Sequence, residues 1–264
     1  MAITSEQTEQ IPAVKSAIHH VFGSEIVAIY LHGSAVSGKL LPQSNIDLLA
    51  IIDRPMTDNQ RTKLLAELLQ ISGRHPATPG NMRCIEVMVF LQSDLFDHIF
   101  PARAEFIYGE WLRDNFEAGE IPAPMRDPEN TLVLAQARHQ SIPLFGENPS
   151  ALLPEIPIKY IHLAMREALP ALLDGLLGDE RNVILTLARM WYTATTGKFV
   201  TKDTAAAWAI PQMSNQDALL LDHARQAYLG EIKDEWEHKS VGAQQLAEHI
   251  QELVIKNIMQ KTRN

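Results

Sequence analysis

Cysteine is nearly absent: the 264 residues hold one, Cys84, inside an apolar run, which excludes a disulfide framework and a thiolate metal site and leaves it as a packing residue. Basic residues are scarce as well, 23 Lys and Arg against 32 Asp and Glu, for a formal charge of -9. A protein that grips nucleic acid neutralises phosphates with basic side chains, so this balance argues against that class. A small cationic substrate suits it, and so does plain solubility; charge alone does not separate the two. No window approaches the roughly 18 uninterrupted apolar residues of a membrane span. The start, with Glu6, Glu9 and Pro12, lacks the basic opening and apolar stretch of a signal peptide. The expectation is a cytoplasmic protein, a monomer, with neither membrane nor nucleic acid as partner. Clustered histidine is missing too: His19, His20 and His223 stand apart from other metal ligands and read as ordinary helix or surface residues.

What is present is a 46% hydrophobic content, enough for more than one packed layer and for one large domain or two small ones. Ala13, Val14, Ala17, Ile18 and Val21 recur at helical spacing after Pro12, and Gly23 ends the pattern. Residues 26–31 and 46–52 are β-rich apolar runs that read as neighbouring strands. Between them, residues 32–44 hold Gly33, Gly38 and Pro42 among several hydroxyls, the composition of a tight loop over a ligand or of a surface turn. A helix is predicted over 58–71, a proline-interrupted loop over 73–80 and a strand over 85–90, with further helix at 104–116 and 132–140. This makes an α/β first half. Residues 142–157 carry Pro143, Gly146, Pro149, Pro154 and Pro157, a covering loop or a boundary. Beyond them 158–177, 180–195, 205–210, 216–228 and 241–258 read as helices without a convincing strand. The expected domains are therefore 1–157 and an all-helical 158–264.

Asn45 and Asp47 straddle Ile46 at the start of a strand, and period-two alternation sends both side chains to one face. If the strand carrying Glu86 pairs with it, an Asn/Asp/Glu cluster of hard oxygen donors results, of the kind that binds Mg²⁺ together with phosphate oxygens and water. Alternatively, Asp47 and Glu86 are edge-strand polar residues. Both interrupt strongly apolar strands, where an unpaired charge costs several kcal/mol, and two such interruptions favour a site.

Gly33-Ser34, then Ser44-Asn45-Ile46-Asp47 and a distant Ile85-Glu86-Val87 strand, resemble the pattern of polymerase-β-like nucleotidyltransferases. Gly109-Glu110-Trp111-Leu112-Arg113, the run from Gly178 to Arg189, and Lys202-Asp203 resemble the bacterial aminoglycoside adenylyltransferases that modify spectinomycin, some of them also streptomycin. The likeness spans nearly the whole chain and is weakest before residue 25 and after 235. It implies an α+β fold, a polymerase-β-like nucleotidyltransferase domain with a C-terminal all-helical bundle, with ATP and drug between them. On this resemblance Ser34 and Ser44 contact the triphosphate, and Asn45, Asp47 and Glu86 hold Mg²⁺. Glu86 is also the general base. Arg189, Lys202 and Tyr228 reach ATP, while Trp111, Asp179 and Asn182 line the drug site. The residues alone allow blander roles: Arg189 pairing with Asp203, Asp179 capping a helix, and Trp191, Trp208 and Trp236 packing in the core.

Two departures matter. Most active members have aspartate where this chain has Asn45, whose amide keeps one acceptor oxygen but loses the charge. That fits an engineered substitution that traps a complex, a natural variant with reduced turnover, or a non-catalytic member that binds nucleotide or drug. Members that use streptomycin carry a tryptophan and an acidic residue where this chain has Pro170 and Gly175, so the resemblance implies adenylylation of spectinomycin at its 9-hydroxyl, with streptomycin used poorly or not at all.

Overall fold

The apolar runs of the first half pair as strands β1 (Ile26–His32) and β2 (Ile46–Ile52), antiparallel, with His32 opposite Asp47. Strand β3 (Ile85–Leu91) lies parallel to β2, Asp47 in register with Glu86. Short strands follow: β4 (Arg103–Ala104), β5 (Phe106–Tyr108), β6 (Met125–Arg126) and β7 (Ile142–Phe145). The main sheet runs β5-β3-β2-β1-β7, and β4 pairs with β6 separately. The computed structural model describes residues 5–37, 41, 44–75, 82–97 and 99–262. Gly38, Pro42 and the prolines at 76 and 79 of the predicted loops lie outside them.

Side-chain alternation divides the sheet into two buried faces. On one, Ile29, Leu48, Ala50, Val87 and Val89 pack with Val14 and Ile18 of helix α1 (Ser5–Phe22) and with Leu64 and Leu68 of α2 (Asp58–Ile71). Thr57 and Gln60 close a capping box that fixes the start of α2. The short helix α3 (Arg113–Glu117) adds Phe116 to this face. On the other face, Tyr30, Leu49, Ile51, Met88 and Phe90 pack with Leu134 and Ala137 of α4 (Pro128–His139) and Leu152 of α5 (Pro149–Leu152).

The chain divides into two compact units, Met1–Ile156 and Pro157–Asn264. The second is helical: α6 (Ile158–Asp174), α7 (Glu180–Thr196), α8 (Lys202–Ala209), α9 (Asn215–Leu229) and α10 (Ser240–Thr262). Helix α7 packs against α6, α8, α9 and α10. Its Val183, Ile184, Leu185, Leu187, Ala188 and Trp191 are buried, so little of its circumference stays wet. Among the described residues no helix is long and apolar enough to cross a membrane.

Three sequence expectations are corrected. Within the helix expected over 104–116, Ala104 ends β4 and residues 106–108 form β5, because Phe106 and Tyr108 point inward as β5 pairs with β3. The proline-rich stretch 142–157 contains strand β7 and helix α5; β7 pairs with β1 alone, and an edge strand tolerates Pro143. Helix α1 also runs through Pro12 instead of starting after it. The turn before Pro12 is held from outside, as Gln10 donates to the carbonyls of Ile71 and Arg83.

Candidate active site

Three polar residues end the otherwise apolar rows of one sheet face. His32 continues the row of Ala28 and Tyr30, Asp47 that of Leu49 and Ile51, and Glu86 that of Met88 and Phe90. The direct register of Asp47 with both His32 and Glu86 sets the two carboxylates side by side on interior strands. The edge-strand reading of these residues is thereby corrected. Gly33 follows β1 with φ +68°, and a Cβ there would lie 1.8 Å from Asp47 Oδ2. Only glycine lets the backbone lie against that carboxylate in this conformation. Ser34 sits in the same tight turn, Gly33–Ser37.

The segment entering β2 is pinned from behind. Ser44 N–H donates to Leu41 O at 3.0 Å, and Ile46 N–H to Cys84 O at 3.0 Å. The Arg83 guanidinium donates to Leu41 O at 2.6 Å and to Ser44 O at 2.9 Å. Ser44 is buried and its hydroxyl has no hydrogen-bond partner among the described residues, an orphaned polar atom next to half-buried Asn45. Among the described residues no group of three or more His, Cys, Asp or Glu side chains gathers to hold a metal ion; the third oxygen donor here is an amide. Asp47 and Glu86 on interior strands, with the amide oxygen of Asn45 one residue before β2, would make an all-oxygen set, which suits Mg²⁺ shared with phosphate and water better than a softer metal. Cys84 is inert packing, its thiol pushed up to about 11 by burial.

Trp111 is 60% exposed and its ring lies against the Gly109 backbone, so close that a Cβ at Gly109 would be 2.2 Å from ring atoms. Sequence reasoning missed what holds it. Glu110 accepts from Tyr108 Oη at 2.7 Å, from Arg113 Nε at 2.6 Å and Nη2 at 2.9 Å, and from Ser72 Oγ. Ser72 Oγ in turn accepts from the N–H of Ile85, the residue before Glu86. Burial alone would raise the Glu110 pKa, but the hydrogen bonds from Arg113, Ser72 and Tyr108 hold it below the ordinary carboxylate value. The signal available in the sequence was Glu110 and Arg113 three residues apart on either side of Trp111.

In the second unit, Lys202 Nζ donates to Asn182 Oδ1, and Asn182 Nδ2 donates to Asp179 Oδ2 at 2.8 Å. The residue expected at ATP and two expected at drug are thus one hydrogen-bonded chain. Asp179 precedes α7 without a side-chain capping bond, so the plain cap role is corrected. Asn182 and Arg189 are two turns apart on α7, hence on one face. Half-buried Tyr228 stands in the last turn of α9, a helix packed on α7. Trp191 and Trp236 are buried, and Trp208 meets Trp191 and Tyr192 edge-on, which makes all three packing residues.

Comparison with known proteins gives two family matches: "Polymerase beta, Nucleotidyltransferase" over residues 16–83 and "Aminoglycoside adenylyltransferase, C-terminal domain" over residues 151–253. The chain is 47% identical over 220 residues to a spectinomycin 9-adenylyltransferase of Staphylococcus aureus, covering 83% of this chain and 84% of the relative. It is 40% identical over 250 residues to the enzyme of the same name from Campylobacter jejuni, covering 95% and 96%. A crystal structure of a spectinomycin adenyltransferase from Enterococcus faecialis, solved with ATP and spectinomycin, is similar with a TM-score of 0.88 at 29% identity, covering 94% of this chain and 98% of that one.

Proposed function

Because the chain belongs to the aminoglycoside adenylyltransferase family, we propose that it transfers AMP from ATP to the 9-hydroxyl of spectinomycin, releasing pyrophosphate and so conferring resistance. It is a nucleotidyltransferase with a polymerase-β-like domain followed by a helical one. The observation that carries the proposal is the in-register pair Asp47 and Glu86 beside the Gly33 backbone. On this reading residues 1–157 form the nucleotidyltransferase domain and 158–264 the domain that contacts drug and ATP. ATP as donor also favours a cytoplasmic enzyme, which we take to act as a monomer.

The chain's own groups divide the chemistry. Ser34 and the hydroxyl of Ser44, which has no partner among the described residues, donate to triphosphate oxygens. Asn45, Asp47 and Glu86 offer oxygens to Mg²⁺, which when bound polarises phosphoryl oxygens and offsets their charge. The drug oxygen forms a bond to the α-phosphorus as the bond from that phosphorus to pyrophosphate breaks, and Glu86 takes the hydroxyl proton. Arg189 and Lys202 meet charge on the nucleotide, with Tyr228 beside it. Asp179 pairs with a drug ammonium, Asn182 orients Asp179, and Trp111 supplies a flat apolar side.

Asn45 favours one second reading, a member that binds without transferring. Comparing kcat/KM for spectinomycin and streptomycin with ATP tests the specificity. The exposed Pro170 of α6 and Gly175 at its end supply neither a stacking ring nor a carboxylate, so spectinomycin should be preferred at least about tenfold. Comparable values would sink that preference. Binding of both ligands with no labelled AMP ever reaching either drug would establish the second reading instead.

A further inference from the structure

Arg83 carries a buried positive charge that the reaction described above does not use. It is 5% exposed, two residues ahead of β3, and among the described residues its guanidinium donates, through Nη1, to two carbonyls, Leu41 O at 2.6 Å and Ser44 O at 2.9 Å. Among the described residues no Asp or Glu forms an ion pair with it, and its Nε has no hydrogen-bond partner. Its own backbone is fixed: N–H donates to Gln10 Oε1 at 2.9 Å, and C=O accepts from Gln10 Nε2 at 3.0 Å and from Gly73 N–H at 2.9 Å. Burial lowers its pKa, as expected for a cation stripped of water without a counter-ion. A buried cation that faces dipoles alone is costly, and both bonds come from one nitrogen, Nη1, which stands one bond farther along the side chain than a lysine Nζ would. The same spot holds the orphaned Ser44 hydroxyl, one residue before Asn45. Two buried polar groups without a partner among the described residues, the Ser44 hydroxyl and Arg83 Nε, thus stand three residues before Asp47 and Glu86, the pair in register on β2 and β3.

We propose that Arg83 is a positioning residue for the nucleotide's triphosphate: its Nη1 fixes Leu41 and Ser44 so that the Ser44 hydroxyl serves the phosphates, and its buried charge draws the polyanion in. This deepens the adenylyltransferase reading and rests on it. The test uses the full chain with Arg83→Met, which removes charge and donor, and Arg83→Lys, which keeps the charge on a stem one bond too short to place a nitrogen where Nη1 stands. Calorimetric titration with magnesium tripolyphosphate should show affinity lower by at least about tenfold in Arg83→Met and about threefold in Arg83→Lys. KM for ATP should rise in step, while KM for spectinomycin at saturating ATP stays within about twofold. Unchanged polyphosphate affinity in a folded Arg83→Met protein overturns the proposal. So does an equal loss for both substrates alongside a lower melting temperature, the mark of a structural role only. If Arg83→Met does not fold, Arg83→Lys decides by the same split, and parental polyphosphate affinity there overturns the proposal. A parent that binds neither tripolyphosphate nor ATP instead overturns the adenylyltransferase reading itself.

Discussion

Gly33→Ala perturbs the site through a single methyl group. The added Cβ would stand 1.8 Å from Asp47 Oδ2 and 2.9 Å from its Cγ. The carboxylate would have to retreat by about 1.5 Å to reach ordinary contact. Misplacing a reacting or coordinating group by about 1 Å costs on the order of 10²-fold in rate, so AMP transfer should fall by at least that factor. The backbone penalty is separate and smaller: φ +68° at alanine costs roughly 1–2 kcal/mol, a drop of about 2–8 °C in melting temperature. The assay is pyrophosphate release at saturating spectinomycin over a series of Mg²⁺ concentrations, with calorimetric melting alongside. Transfer within about threefold of the parent, in a protein that melts a few degrees lower, would refute the reasoning, because the strain would then be absorbed without moving Asp47.

Further outcomes follow from the same geometry. Glu86→Gln keeps shape but cannot take the proton, so turnover should fall roughly 10²–10⁴-fold with ATP and drug binding largely kept; turnover within about threefold would remove Glu86 as the base. Asn45→Asp restores a charge beside Asp47 and should raise Mg²⁺-dependent transfer by at least roughly 10²-fold, whereas equal rates at saturating Mg²⁺ would mean the amide is tolerated. His162 of α6 is buried, its Nε2 without a partner among the described residues, and burial, with Lys261 adding to it, lowers its pKa from 6.5. The unfolded chain then takes the proton first on acidification, so this contribution to stability is full above about pH 6.5 and declines below it. Melting at pH 7.5 and pH 5.5 should show a smaller difference for His162→Leu than for the parent; equal differences would exclude His162 as a source.

The parts of the fold most legible in the sequence were those where one periodicity operates. β1, β2 and β3 are continuous apolar runs buried on both faces, and the second unit's helices repeat at a single spacing between glycine and proline breaks. Ala104, Tyr108, Leu112 and Phe116 misled because they stand four apart, while Ala104, Phe106 and Tyr108 also alternate; pairing of β5 with β3 chose the second pattern. β7 was hidden because Pro143 argues against a strand, and only the sheet order shows that it lies on an edge. At the site, alternation alone put Asn45 and Asp47 on one face, but the parallel register with Glu86 needed coordinates. The supports were least legible. The Glu110 network and the Gln10–Arg83 clamp join residues 38 and 73 positions apart, a distance no local pattern encodes.

The most direct test of the account is the product itself. The purified chain, with ATP carrying label in the α-phosphate, Mg²⁺ and spectinomycin, should convert the drug to a labelled AMP ester with equimolar pyrophosphate. Phosphorus-coupled NMR should place the new phosphodiester on the 9-hydroxyl. Label on another hydroxyl, or release of AMP to water while spectinomycin stays unmodified, would contradict the account.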